Sequence, residues 1–156
     1  MLDAGALVKE LQDMRDDGHL SDALFRYAVR AIEPADDRIA WVGVYKVADD
    51  GSELWLHNYM GPGTEHAKIP MGSGVSGRAS ADNSNLIVND MSTEEEKYVS
   101  SEDVTSEMAV VIRAADEVFA VIKVESEEEE GFTEDDEIAL QLVADKLAEQ
   151  MMAERR

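Results

Sequence analysis

Two runs in the C-terminal half, MAVVIRA (108–114) and VFAVIKVE (118–125), are almost unbroken in apolar and β-branched residues. Only Ala115-Asp116-Glu117 separates them, so they predict an antiparallel hairpin. A strand that is apolar on both faces has to be covered on both, which places this hairpin centrally in a sheet. The rest of the chain must provide those covers.

One cover is legible at the termini. Leu2, Ala6, Leu7, Leu11 and Met14, then Leu20, Leu24, Ala28 and Ile32, recur at helical spacing through a helical region over 1–33. Asp17-Gly18 breaks it in two, Ser21-Asp22 offers a cap for the second part, and Pro34 ends it. A second helix is predicted over 133–154. Thr133 is its N-cap, Asp136 a loose capping-box partner, and Ile138, Leu142, Val143, Leu147 and Met151 an apolar stripe facing the sheet or another helix. Between these lie IAWVGVYKV (39–47) and ELWLHNY (53–59), a hairpin about Asp49-Asp50-Gly51, and a short strand in NLIVND (85–90). The acidic stretch 92–103 is expected as a surface helix or loop. The order predicts a mixed α/β domain spanning 1–156, with a largely antiparallel sheet and its loops over 39–125.

Residues 70–79, PMGSGVSGRA, contain G-x-G-x-x-G at Gly72, Gly74 and Gly77. A dinucleotide fingerprint needs a buried strand before it, a long helix after it and an acid about 20 residues on. Here Pro70 weakens a central strand, RASADNSN promises about one helical turn, and Asp90 comes too early. The glycines are better read as shaping a tight backbone path beside a pocket.

Composition excludes chemistry more firmly than it assigns it. The chain has no cysteine, which removes disulfides, thiolate metal sites and thiol catalysis. It carries 35 acidic and 14 basic residues, a formal net charge of −21, unsuited to nucleic acid or an anionic membrane. Such a surface fits a salty cytoplasm, or a basic partner. No apolar run approaches about 18 residues and no signal-peptide core opens the chain, so a cytoplasmic protein is expected. Ser76 lacks a complete G-x-S-x-G, and Glu125 to Glu130 lacks the ligand alternation of a calcium loop. No metal or cofactor is expected.

The order of motifs resembles a GAF domain, and within that superfamily the free methionine-(R)-sulfoxide reductase family, over roughly residues 20 to 152. WVGVYKV, KIPMGSGVSG, TSEMAVVI, VIKVES and GFTEDDE carry the resemblance. It implies a six-stranded antiparallel sheet, terminal helices packed on one face and a small-ligand pocket on the other. It also places the family's three cysteines on Ser100, Ser76 and His66, so its thiol mechanism is absent here. Glu107 and Glu125 match acids that hold the ligand, whereas Lys123 replaces an aspartate and would favour an anionic or carboxylate ligand. Trp41, Tyr45 and Tyr59 are candidates for an apolar wall. The resulting expectation is a stand-alone, non-catalytic sensory module for an unidentified small molecule. The alternatives are a homodimer built on the terminal helices with a vestigial pocket, or an enzyme using Ser76, Ser100 or His66.

Overall fold

The computed structural model describes residues 2–155. Helices α1 (Ala4–Asp16) and α2 (Ser21–Ile32) lead through a short 3-10 turn into β1 (Ile39–Val47) and β2 (Glu53–Met60). Then come β3 (Lys68–Pro70), α3 (Gly74–Asp82), β4 (Leu86–Val88), β5 (Ser106–Ala114), β6 (Glu117–Ser126) and α4 (Glu134–Glu154). The six strands form one sheet in the order β3-β2-β1-β6-β5-β4, and every neighbouring pair is antiparallel. The apolar hairpin is therefore central, with β1 on one side and β4 on the other. Pro70, which cannot donate to an inner ladder, sits on the edge strand. No helix among the described residues is long and apolar enough to cross a membrane.

Strand alternation divides the core into two. Val42, Val44, Met108, Val110, Ile112, Ala120, Ile122 and Val124 point to α1, α2 and α4, where they meet Leu11, Phe25, Val29, Val143 and Leu147. On the opposite face Trp41, Tyr45, Ala109, Val111 and Val121 pack under α3 and the loops, against Leu54, Ile69, Val75, Ala79 and Met91. The near-continuous hydrophobicity of β5 and β6 thus has its two covers.

Two helix-end expectations change. Thr133 and Asp136 form a full capping box, with Thr133 N donating to Asp136 Oδ2 at 2.8 Å. Arg38, just before β1, clamps that same turn by donating to Asp136 Oδ1 at 2.8 Å and to the Gly131 carbonyl at 2.8 Å. The N-terminus of α2 has no local cap. Instead Glu154, from the end of α4, accepts from Ser21 N at 2.7 Å and Ser21 Oγ at 2.8 Å. The predicted apolar stripe of α4 also divides. Val143, Leu147 and Met151 are buried, with Leu140, Ala144 and Ala148 beside them, whereas Ile138 and Leu142 are 57% and 51% exposed. A 3.6-residue period displaces residues four apart by about 40°, so the first members rotate off the sheet.

Candidate functional site

The glycine segment is longer in helix than its sequence promised, because Gly74–Asp82 makes more than two turns. Asn83 ends α3 in a left-handed conformation, and Ser84 N closes back on the Ala79 carbonyl at 3.0 Å. Each glycine of the G-V-S-G run answers to a close neighbour. Gly74 has φ +66, and a Cβ there would meet Tyr98 Cδ2 at 2.6 Å. A Cβ on Gly77 would stand 2.6 Å from the Pro70 carbonyl oxygen. Because that neighbour is backbone, Gly77→Ala is expected to destabilise by about 1–3 kcal/mol, read in denaturant unfolding. A near-neutral result would show that α3 can lift away from the edge strand.

On the sheet face that α3 covers lie the predicted polar residues. Pairing sets Trp41 opposite Glu125, Gly43 opposite Lys123 and Glu107 opposite Glu125, so their side chains share the face that carries Trp41 and Tyr45. All three charged groups are buried, at 2% exposed for Glu107, 1% for Lys123 and 0% for Glu125. Lys123 Nζ lies 3.1 Å from Glu125 Oε2, donates to the Tyr98 carbonyl, and sits over the rings of Trp41 (5.4 Å) and Tyr45 (5.6 Å). Burial opposes its charge, but Glu107 and Glu125 outweigh that and hold its pKa above the ordinary lysine value. The other oxygen of Glu125 accepts from Ser100 Oγ at 2.6 Å and Ser100 N at 3.1 Å. Glu107 differs: among the described residues its carboxyl has no hydrogen bond and no ion pair. Burial pushes its pKa from 4.5 up to about 7, against the pull of Lys123 and with Glu125 adding to the rise.

The sign of that shift has a measurable result. The folded state keeps a proton on Glu107 that the unfolded chain releases between pH 4.5 and about 7. The contribution of this group to stability is therefore present at low pH, declines as pH rises through that window, and levels off above it. Glu107→Gln is expected to flatten this decline in urea unfolding measured from pH 5 to pH 8. Equal slopes in the two proteins would place the titration elsewhere.

A strap of irregular chain closes this face. Tyr98 and Ser100 are tied to β6 as above, and the Tyr98 ring lies edge-on to His66 with centroids 5.4 Å apart. On one side of Tyr98 a groove of about 380 Å³ is lined by Gly72, Gly74, Arg78 and Glu94. On the other a groove of about 370 Å³ is lined by His66, Val99, Ser100 and Glu102. Arg78 and Glu94 pair at 2.8 Å beside the first.

The sequence-derived site residues thus assemble in part. Trp41, Tyr45, Glu107, Lys123, Glu125 and Ser100 come together. Tyr59, 40% exposed, stacks on the outer side of Trp41 at 5.6 Å. His66 contributes its ring to Tyr98 and its carbonyl to the Tyr45 hydroxyl at 2.7 Å. Ser76 is buried with an unpartnered hydroxyl, as is Ser80 one turn later. Neither Ser76 nor Ser100 hydrogen-bonds a histidine among the described residues, so no serine–histidine pair is assembled. Tyr98, Arg78 and Glu94 were missed. The signal for Tyr98 was a single aromatic residue inside an otherwise acidic stretch.

A six-stranded antiparallel sheet, helices from both termini on one face and a roofed polar site on the other define the class. Residues 19–150 match the GAF domain family, and the chain belongs to it. Among solved structures it is similar to free methionine-R-sulfoxide reductase from Neisseria meningitidis in complex with its substrate. Identity is 25%, the TM-score 0.87, and the match covers 97% of this chain and 90% of that one. The same enzyme from Staphylococcus aureus, in reduced form, is 22% identical with a TM-score of 0.85 over 97% of this chain and 96% of that one. The GAF domain of an Acinetobacter phosphoenolpyruvate-protein phosphotransferase is 14% identical at a TM-score of 0.81, covering 97% and 92% of the two chains. The latter two show the fold alone. No curated protein matches the chain.

Proposed function

We propose that this GAF domain is a non-catalytic, intracellular sensory module that binds a small molecule beneath the 94–104 segment. The observation that carries the reading is Glu107, a buried carboxyl without a partner, on the sheet face that also carries Trp41 and Tyr45. Desolvating a carboxyl without a hydrogen bond is costly, and a ligand donor would remove that cost. The cation of Lys123, expected to draw an anionic ligand, is engaged with Glu125 and the Tyr98 carbonyl. The unmet demand is therefore for a donor rather than an acceptor. Occupancy would reach the terminal helices through β5 and β6, whose other faces pack on them.

Without a cysteine the chain has no thiol for the chemistry named for its reductase neighbours. A thermal-shift panel of neutral amides, nucleobases, cyclic nucleotides and methionine sulfoxide tests the reading. A rise in Tm that is lost in Glu107→Ala is expected. No shift with any compound would sink the binding reading, and turnover of methionine sulfoxide with a thiol donor would sink the non-catalytic one.

A second reading, a homodimer through the terminal helices, is supported by Leu20, Ile138, Leu142 and Met152, all exposed on helices or their ends. Sedimentation velocity over a concentration series distinguishes it. We also attribute the acidic surface to a salty cytoplasm. Raising KCl from about 0.1 M to about 1 M, which shortens the screening length from about 10 Å to about 3 Å, is then expected to raise Tm. An unchanged Tm would remove that attribution.

A further inference from the structure

We propose that Lys123 is a tethered ammonium that already occupies the acid site of the pocket. It thereby selects against ligands recognised through a free ammonium, and in favour of those presenting a neutral N–H or O–H donor to Glu107. This rests on the pocket reading above, but on a different set of contacts.

An ammonium has three donors and no acceptor, and a buried one needs oxygen atoms or aromatic faces around it. Lys123 Nζ has all of these: Glu125 Oε2 at 3.1 Å, the Tyr98 carbonyl, and the rings of Trp41 and Tyr45. The same surroundings would receive the ammonium of a free ligand, yet here they are filled from within the chain. The groups facing this point are Glu107 on β5, Lys123 and Glu125 on β6, Tyr45 on β1, Arg78 on α3 and Glu94 beyond β4. Two of these acids are close to Lys123, so a second ammonium would share with it a site that excludes water and would be repelled. A neutral donor adds no charge and still satisfies Glu107. The tether also has a mechanical effect. Together Lys123 and Glu125 hold three polar groups of the 98–100 strap: the Tyr98 carbonyl, Ser100 N and Ser100 Oγ.

The experiment compares wild type, Lys123→Met and Lys123→Arg by isothermal titration with methionine sulfoxide, which carries the ammonium, and N-acetyl methionine sulfoxide, which does not. Methionine sulfoxide is expected to bind Lys123→Met at least about tenfold more tightly than wild type, with Lys123→Arg like wild type. Equal affinity in all three overturns the selection. If Lys123→Met does not fold, the wild type alone decides, because stronger binding of the free amine than of the acetylated probe contradicts the proposal. Amide hydrogen exchange at Ser100, read without ligand, is expected to be slow in wild type and about tenfold faster in Lys123→Met. Exchange at Ser100 as fast as in the exposed Asp50–Ser52 turn overturns the tether. Absence of binding to every protein, with accelerated exchange in Lys123→Met, would defeat the pocket reading and the selection while leaving Lys123 as a latch.

Discussion

Lys123→Met is expected to lower stability by about 3–5 kcal/mol, more than any surface substitution in this protein, because it strands a buried carboxylate. The ion pair at 3.1 Å is almost fully buried on both sides, and Glu125 has no cation besides Lys123 within ion-pair distance among the described residues. Glu107 softens the loss, since a carboxyl already pushed to about 7 can take up a proton once the cation is gone. Glu125 must carry most of the penalty. Adding Glu125→Gln to Lys123→Met removes the stranded charge and keeps an oxygen for the Ser100 hydroxyl and amide. The double variant is therefore expected to recover at least about 1 kcal/mol relative to the single one. Urea unfolding of the wild type, both single variants and the double variant gives the coupling directly. A purely additive cycle would show that the pair contributes nothing beyond its separate side chains.

The second large effect lies on the other side of the sheet. Leu147→Ala is expected to cost about 3 kcal/mol, since Leu147 is fully buried between α4 and the strands. For a domain of this size that corresponds to a fall in Tm of about 6 to 12 °C. Leu142→Ala, one and a half turns earlier on the same helix, is expected to change stability by no more than about 0.5 kcal/mol. Leu142 is half exposed, so little apolar area returns to water. Similar losses for the two leucines would mean that the outer face of α4 is covered in solution, which is the outcome the homodimer reading requires.

This pair of leucines shows where pattern reading reached its limit. Helical periodicity located α4 to within a residue at each end, and Thr133 with Asp136 fixed its start. The period says which residues share a face, but over six turns a stripe drifts around the cylinder. Which part of the stripe meets the sheet depends on the crossing angle, and that is set by packing. The cap of α2 shows the same limit: Ser21 and Asp22 were local candidates, while the group that satisfies the helix end comes from Glu154, 133 residues away.

The site divides similarly. Glu107, Lys123 and Glu125 came from the resemblance of their motifs to those of a known family, and the strand register set them on the face of Trp41 and Tyr45. Their different fates were not legible. Burial and pairing made Lys123 and Glu125 partners and left Glu107 alone, and the decisive contacts come from Tyr98 and Ser100 in a stretch whose acidity pointed to solvent.

By itself, then, the sequence determined the central hairpin, the helices at both ends and the lack of any thiol. These follow from local pattern and composition, which need no knowledge of distant contacts. Only the tertiary structure decided that Lys123 is spent inside the protein, that Glu107 is unpartnered and that Tyr98 closes the roof. Each of those depends on which atoms meet across the fold, and on the low dielectric that burial gives to every charge left there.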